Sequence, residues 1–132
     1  MHRIIIAGSR DFNNYELVQQ YLGSYLSNLD KQDIEIISGT ARGADKLGEL
    51  FAERNGISCV KFPAQWDLYG KSAGYRRNAE MASYAADSHG ILFAFWDGTS
   101  RGTNHMINLG NKMGLEVHVI QYNDIDENKV SS

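Results

Sequence analysis

Near its start the chain reads Arg3-Ile4-Ile5-Ile6-Ala7-Gly8-Ser9-Arg10, a β-branched apolar run that ends abruptly in glycine, serine and arginine. A short apolar run that stops at a turn residue is typical of a buried β-strand. Because the run is continuous rather than alternating, we expect both faces of the strand to be covered, as in a parallel sheet. The segment predicts the first strand of an α/β fold, with a polar loop at its carboxyl end.

Four further segments repeat this pattern, and each predicts a strand. Together the five predicted strands cover residues 3–7, 34–38, 58–62, 90–95 and 116–121. Most segments between them carry apolar residues three and four positions apart, which is the spacing of one buried helical face. Right-handed crossovers then place helices on both faces of one open sheet. We expect a single Rossmann-like sheet of five parallel strands in the order 3-2-1-4-5.

The helix after the third strand carries two candidate ligand-binding residues. Its apolar spacing predicts a buried face, so the adjacent pair Arg77 and Asn78 needs partners of its own, and a ligand is one candidate. The residues of that expected buried face are Tyr75, Ala79, Ala82 and Ala86. Helix N-caps are expected at Asn14, Ser72 and Thr103.

The composition is that of one globular domain. The chain has 132 residues, of which 42% are hydrophobic and 22% charged, so a folded core is expected rather than disorder. We assign residues 1–122 to one Rossmann-like domain and the polar residues 123–132 to a C-terminal tail. No secretory signal or membrane-length apolar stretch is visible, which predicts a cytoplasmic protein without a membrane partner, or one in the host cytoplasm if the gene is viral.

The net charge of −3 argues against a dedicated duplex-DNA binder, so any anion site must be local. The single cysteine, Cys59, excludes an internal disulfide and lies in an apolar run, where a buried thiol is expected. The histidines show no metal-ligand spacing, and neither a metal nor a cofactor is expected. His105 is retained as a candidate site residue because it lies beside a glycine-rich loop.

Three loops that follow predicted strands share one composition. Glycine permits close backbone approach, a hydroxyl or a helix N-terminus donates hydrogen bonds, and arginine adds a forked charged donor, all of which suit a phosphate oxygen. Because the carboxyl ends of parallel strands meet at one edge, where the winding reverses between strands one and four, we expect one shared site. Its candidate residues are Gly8, Ser9 and Arg10 in the first loop; Gly39, Thr40, Arg42, Gly43 and Asp45 in the second; and Asp97, Gly98, Thr99, Arg101, Gly102 and Thr103 in the loop after the fourth strand.

Each of these loops also has a purely structural interpretation. Glycine and small polar residues are common in turns for steric reasons. Each arginine could instead pair with a neighbouring carboxylate, for which Asp11, Asp45 and Asp97 are available. We expect Arg42 and Arg101 to face one anion near the glycines of the first two loops.

The connection at residues 63–72 is long for a compact domain, and long connections are often functional. Trp66 and Tyr69 could stack on a base, and Lys71 adds a cation. A hydrophobic plug over the edge of the sheet is an equally supported interpretation of Trp66.

Taken together, these motifs resemble a known family. The run Ser38-Gly39-Thr40-Ala41-Arg42-Gly43-Ala44-Asp45, together with Gly8-Ser9-Arg10 and the late Arg101-Gly102-Thr103, resembles the YspA-like branch of the SLOG superfamily. The resemblance extends over the chain to about Gln121. This superfamily also contains the Lonely-guy phosphoribohydrolases and the DNA-processing protein, and YspA-like genes are common in phages. The resemblance implies a Rossmann-like fold and a nucleotide-derived ligand at the glycine-rich edge.

One position departs from the phosphoribohydrolases within that superfamily. They carry a glycine-threonine pair followed three residues later by a catalytic glutamate, whereas Gly102-Thr103-Asn104-His105-Met106 places methionine there. The resemblance therefore does not carry hydrolase activity over to this chain, and whether it is an enzyme stays open.

Three functions remain open on the sequence. The first is binding, by sensing or sequestering, of a phosphate-bearing nucleotide-type small molecule. The second is an enzyme that processes a nucleotide or nucleoside phosphate, with Asp45, Asp97 or Glu80 in place of the missing glutamate. The third is binding of single-stranded DNA, which we rank last because the net charge is acidic. A homo-oligomer is compatible with each of them.

Overall fold

The structure is a computed structural model that describes residues 1–122, and the predicted tail, residues 123–132, lies outside the described residues. Five parallel strands form one sheet in the order β3-β2-β1-β4-β5. The α/β fold class and the strand order predicted from the sequence are confirmed. The strands are β1 (His2–Gly8), β2 (Ile34–Ser38), β3 (Ser58–Lys61), β4 (His89–Trp96) and β5 (Glu116–Gln121).

Helices alternate with the strands along the chain. The α-helices are α1 (Tyr15–Leu26), α2 (Ala44–Asn55), α3 (Trp66–Tyr69), α4 (Ala73–Ala86) and α5 (Arg101–Lys112), with short 3-10 helices at Lys31–Asp33 and Gly70–Ser72. The connection after β3 is therefore partly helical, because α3 and the second 3-10 helix occupy most of it. No helix within residues 1–122 combines the length and the apolar content needed to cross a membrane.

Strand β1 is buried on both faces. Ile4 and Ile6 pack into the core under one face, Ile5 packs into the core under the other, and all three are fully buried. Helices cover both sides of this central strand, which explains why its apolar run does not alternate. The same central position places the loop after β1 next to the loops after β2 and β4.

Helix α4 buries a different face from the one its apolar spacing predicted. Tyr75, Ala79 and Ala86 are exposed, and the expected buried face is therefore wrong except at Ala82. The observed buried face is rotated and includes Asn78, whose amide finds hydrogen-bond partners on α5. A buried polar residue that is fully hydrogen-bonded can stand on an apolar face, which hydropathy alone does not reveal. The buried residues of the helix are Ala73, Asn78, Met81, Ala82 and Ala85.

The predicted N-cap positions are confirmed at two helices, α1 and α4, and wrong at α5. Asn14 caps α1 by accepting a hydrogen bond from the backbone N–H of Leu17 at 3.1 Å. Ser72 stands at the expected position before α4, but its hydroxyl donates to Tyr69 O instead of capping the helix. Helix α5 begins earlier than expected, because Ser100 rather than Thr103 is its N-cap.

Candidate functional site

A cavity of about 460 Å³ opens at the carboxyl edge of the sheet, between the ends of β1 and β4. This is the point at which the winding direction reverses, where ligands of open α/β sheets bind. The loops after β1, β2 and β4, the second and third turns of α4 and the N-terminal turns of α5 enclose it. Most of the residues predicted from the sequence line it, namely Gly8, Ser9, Arg10, Arg42, Asp45, Arg77, Asn78, Asp97, Gly102 and Thr103.

The remaining predicted residues fall into two groups. The first group adjoins the cavity: Gly39, Thr40 and Trp66 line a neighbouring space of about 760 Å³, and Lys71 lines a smaller one of about 210 Å³. The second group is part of the same loops but lines none of these three spaces, and it comprises Gly43, Gly98, Thr99 and Arg101. The structure therefore brings Arg42 to the cavity but leaves Arg101 exposed beside it.

Two methionines line the cavity that the sequence did not single out as site residues. Met81 on α4 and Met106 on α5 are almost completely buried and give the cavity apolar lining. Met106 lies in the second turn of α5 and Met81 in the third turn of α4, each just after the polar site residues of its helix. The helical periodicity did indicate Met106 as buried, whereas the error in the buried face of α4 concealed Met81.

Gly43 holds the first two loops together through its backbone. Its φ of +86° is favourable only for glycine, and a Cβ atom would lie 2.3 Å from Ser9 O and 2.6 Å from Arg10 O. The next residue, Ala44, donates its N–H to Ser9 O at 3.4 Å. Gly43 is therefore required by the approach of the two loops, independently of any ligand.

Asp45 is a buried carboxyl group at the wall of the cavity. Its side chain is 5% exposed, and its Oδ2 accepts a hydrogen bond from the N–H of Ala41 at 3.1 Å. Burial raises the pKa of Asp45 to about 6, although that hydrogen bond and the charge of Arg77 act in the opposite direction. Asp45 thus exchanges its proton closer to neutrality than an exposed aspartate.

Arg77 is a cation fixed by the protein itself. Its Nη1 donates to Gly39 O, and its Nε donates to Asn78 Oδ1 at 3.0 Å. Burial lowers the pKa of Arg77, the charge of Arg10 lowers it further, and Asp45 raises it. Gly39 leaves room for this arrangement, because a Cβ atom there would lie 2.7 Å from Arg77 Nη1 and 2.8 Å from Asp45 Oδ2.

Asn78 joins helices α4 and α5 below the cavity. Its Nδ2 donates to Gly102 O at 3.3 Å and lies 3.2 Å from Nδ1 of His105. Burial lowers the pKa of His105, which favours the neutral imidazole that can accept this contact. His105, the histidine retained from the sequence, therefore supports the site through Asn78.

Asp97 organises the loop after β4. Its Oδ1 accepts hydrogen bonds from the N–H groups of Thr99 and Ser100, both at 2.8 Å. Burial alone would raise the pKa of Asp97, but these hydrogen bonds outweigh it and the pKa lies below its usual value. The backbone N–H of Asp97 donates to Ser9 Oγ at 3.1 Å, so the carboxylate and the serine hydroxyl fix the loops after β1 and β4 against each other.

Arg10 and Arg42 differ from Arg77 in having exposed side chains that line the cavity. Within residues 1–122 neither guanidinium forms an ion pair, a side-chain hydrogen bond or a stacking contact. The alternative of carboxylate pairing, left open by the sequence, is therefore not realised at these two residues in the described part of the chain. Arg10 and Arg42 thus place two guanidinium groups without an ion pair in the described residues beside a cavity that Asp11, Asp45 and Asp97 also line.

Comparison with known proteins identifies the family. A model of the YAcAr family, described as the YspA, cpYpsA-related SLOG family, matches residues 2–69, which run from β1 through α3. The chain belongs to this family. The SLOG chain is also 32% identical over 122 residues to "Gene 61 protein" of Mycobacterium phage D29, an alignment that covers 89% of this chain and 94% of the phage protein. No solved structure gives a significant match to it.

The structure also locates the position at which this SLOG chain departs from the phosphoribohydrolases. Met106 is 1% exposed and lines the cavity, so a thioether stands where the resemblance would place a catalytic carboxylate. Of the three carboxylates considered as replacements, Asp45 and Asp97 line the cavity, whereas Glu80 is exposed on α4 and does not.

Proposed function

We propose that the SLOG chain binds the phosphate group of a nucleotide or nucleotide-derived small molecule in the cavity between β1 and β4, and so senses or sequesters that molecule. The observation that supports this most directly is the pair Arg10 and Arg42, which line the cavity with no ion pair in the described residues. The positive charges of these two arginines and of Arg77 repel one another, and a bound anion offsets this repulsion. A phosphate with several acceptor oxygens satisfies all of them at once.

The first turn of α5 offers further support. Gly102 lines the cavity, and no atom lies within 4 Å of the position its Cβ would take, so ligand atoms can approach the backbone there. Helix N-termini present N–H groups and a positive dipole to anions. Asp97, the carboxylate nearest in sequence to this turn, already accepts two backbone hydrogen bonds, which reduces its repulsion of a phosphate.

The test is titration calorimetry of the full chain with a panel of nucleoside phosphates. Arg10→Ala and Arg42→Ala should each weaken binding by about 1.5–3 kcal/mol, the value of a charged hydrogen bond, with little change in fold stability. Lys31→Ala is the matched control, since it removes one exposed positive charge from the short helix Lys31–Asp33, which precedes β2 at the opposite edge of the sheet. Unchanged affinity in both arginine variants, or an equal loss in Lys31→Ala, would contradict the proposal.

A second candidate, turnover of a nucleoside phosphate, is favoured by one observation. Asp45 lines the cavity, is buried, and has a pKa raised to about 6, a value suited to proton transfer near neutral pH. Cleavage of an N-glycosidic bond builds positive charge on the sugar, which a carboxylate must stabilise while a base activates water. Met106 can do neither, so this candidate depends on a carboxylate that lines the cavity, Asp45 or Asp97.

Incubation with nucleoside monophosphates, followed by chromatography of free base, separates the two candidates. The binding proposal predicts stoichiometric binding without release of base. Multiple turnovers that are lost in Asp45→Asn or Asp97→Asn would replace it with an enzymatic function. A trace of activity that survives in both variants is contamination and leaves the binding proposal in place.

A further inference from the structure

Trp66 is a large aromatic residue that the phosphate cavity does not use. It opens α3, its side chain is 51% exposed, and it belongs to neither hydrophobic core. A hydrophobic plug over the edge of the sheet would be covered by its neighbours. The exposure of Trp66 therefore disagrees with that interpretation and requires another one.

The other aromatic rings near this helix already have partners. The guanidinium of Arg76 lies 4.2 Å from the centre of the Tyr69 ring, and the Tyr75 ring lies 4.5 Å from the ring of His105. Trp66 has no aromatic or cationic stacking partner among residues 1–122. Its ring edge passes close to Gly74, where a Cβ atom would lie 3.4 Å from Cη2, so the first turn of α4 supports the indole from one side.

Trp66 lies at the far end of a groove that begins in the phosphate cavity. Two of the three spaces that Trp66 lines contain Arg10 and Arg77, and these two residues also line the phosphate cavity. One of the two spaces also contains Arg42, and the other contains Gly102. The open surface is thus continuous from the helix start of α5, past Arg10, to the indole ring.

We propose that Trp66 is the stacking platform for the base of a nucleotide ligand whose phosphate lies against Arg10 and Arg42. The inference rests on the proposed function and narrows the ligand to one that carries both a phosphate and a planar aromatic base. Stacking on an indole tolerates any base, because every base has a π-face, and tryptophan gives a large, rigid contact area. The subsite therefore favours nucleotides over sugar phosphates of the same charge.

The test compares probes that differ only in the group that the phosphate carries. The four ribonucleoside monophosphates, ribose 5-phosphate and inorganic phosphate are titrated against the full chain. Wild type should bind the monophosphates at least about tenfold more tightly than ribose 5-phosphate, and Trp66→Ala should abolish this difference, since a stacked base is worth roughly a factor of ten or more. Trp66→Phe should restore part of it. Leu68→Ala, which removes a more exposed apolar side chain from the same short helix, is the matched control and should change nothing.

The outcomes separate this inference from the function on which it rests. If monophosphates and ribose 5-phosphate bind wild type equally, or if Trp66→Ala keeps the preference for monophosphates, the base platform is wrong while phosphate binding stands. If no probe binds wild type, both proposals fail. If Trp66→Ala weakens the binding of inorganic phosphate as much as that of the monophosphates, Trp66 shapes the phosphate cavity instead, and the proposed base platform is again wrong.

Discussion

Gly39 and Gly102 lie at the same edge of the sheet, yet the space beside them differs. The position of a Cβ on Gly39 is already taken by Arg77 and Asp45, whereas that of Gly102 is open. Gly39→Ala should therefore lower the free energy of unfolding by about 1–3 kcal/mol, the usual cost of overpacking, because the arginine must move away from Gly39 O. Urea denaturation measures this directly.

Gly102→Ala is the comparison variant for that experiment. Alanine suits a helix better than glycine, so its unfolding free energy should stay unchanged or rise slightly. Its affinity for a nucleoside phosphate should fall, because the added methyl group enters the space proposed for the ligand. A Gly39→Ala protein as stable as wild type would show that Arg77 is not held where the structure places it.

Asp45 makes stability depend on pH. Burial raises its pKa from the ordinary 3.8 to about 6, so the folded state holds this proton more tightly than the unfolded state does. The folded state then binds more protons in this range, and linkage makes the free energy of unfolding fall as the pH rises. From pH 5 to pH 7 the contribution of this residue should decrease by about 1 kcal/mol.

Urea denaturation at both pH values checks this prediction in variants. Asp45→Asn keeps the acceptor for the Ala41 N–H and cannot ionise, so its stability should vary less between pH 5 and pH 7 than that of wild type. Asp87→Asn changes an exposed aspartate at the end of α4 and should retain the wild-type dependence. Equal pH dependence in Asp45→Asn and wild type would mean that Asp45 is ionised at both values.

At the scale of the elements, the sequence predicted the strands and their order because their apolar runs are long and continuous. The connectivity rules for parallel sheets then leave few arrangements of five strands and their crossovers. The same rules predicted the edge at which the cavity opens, and so most of the residues that line it. These predictions needed only the apolar pattern of the sequence and the connectivity rules, not the contacts of individual side chains.

The orientation of α4 could not be predicted in this way. Alanines occur on both sides of this helix, so the sequence showed the helical spacing but not which side of the helix is buried. Asn78 lies on the buried side, and its burial depends on a hydrogen bond to the carbonyl of Gly102 on α5, which is distant in sequence. Likewise, whether Arg42 forms an ion pair within residues 1–122 depends on where the aspartates of other loops lie, and the Asp97 carboxylate accepts hydrogen bonds from its own loop.

The N-cap of α5, Ser100, stabilises the helix and also lines the cavity. Ser100 caps the helix through Oγ, which accepts from the N–H of Thr103 at 3.4 Å. Ser100→Ala should lower the free energy of unfolding by about 1 kcal/mol, the usual value of an N-cap. Ser83→Ala, at an exposed position inside α4, should be neutral or slightly stabilising. Equal stability of the two variants, measured by urea denaturation, would show that Ser100 is not the cap.

For the molecule as a whole, charge favours a small ligand over a polymer. The net charge is −3, while three arginines, Arg10, Arg42 and Arg77, line one cavity together with Asp11, Asp45 and Asp97. A single phosphate experiences mainly this local charge, because screening at physiological salt reaches about 8 Å. A strand of nucleic acid must also place its further phosphates along the surface of a chain whose net charge is negative. The exposed Trp66 alone does not compensate for that, since it offers one platform only.

We therefore predict that oligothymidine binds no more tightly than thymidine monophosphate. Proteins that track a single strand gain affinity with each added phosphate, and the slope of log K against log salt grows by about 0.7 for every phosphate neutralised. Titration of both probes at several salt concentrations should give similar affinities and similarly shallow slopes. Trp66→Ala should weaken the binding of both probes to the same extent, because each places one base on the indole. Much tighter binding of the oligomer with a steep salt dependence would instead show that the groove continues along the surface, and the chain would then be a single-strand binder.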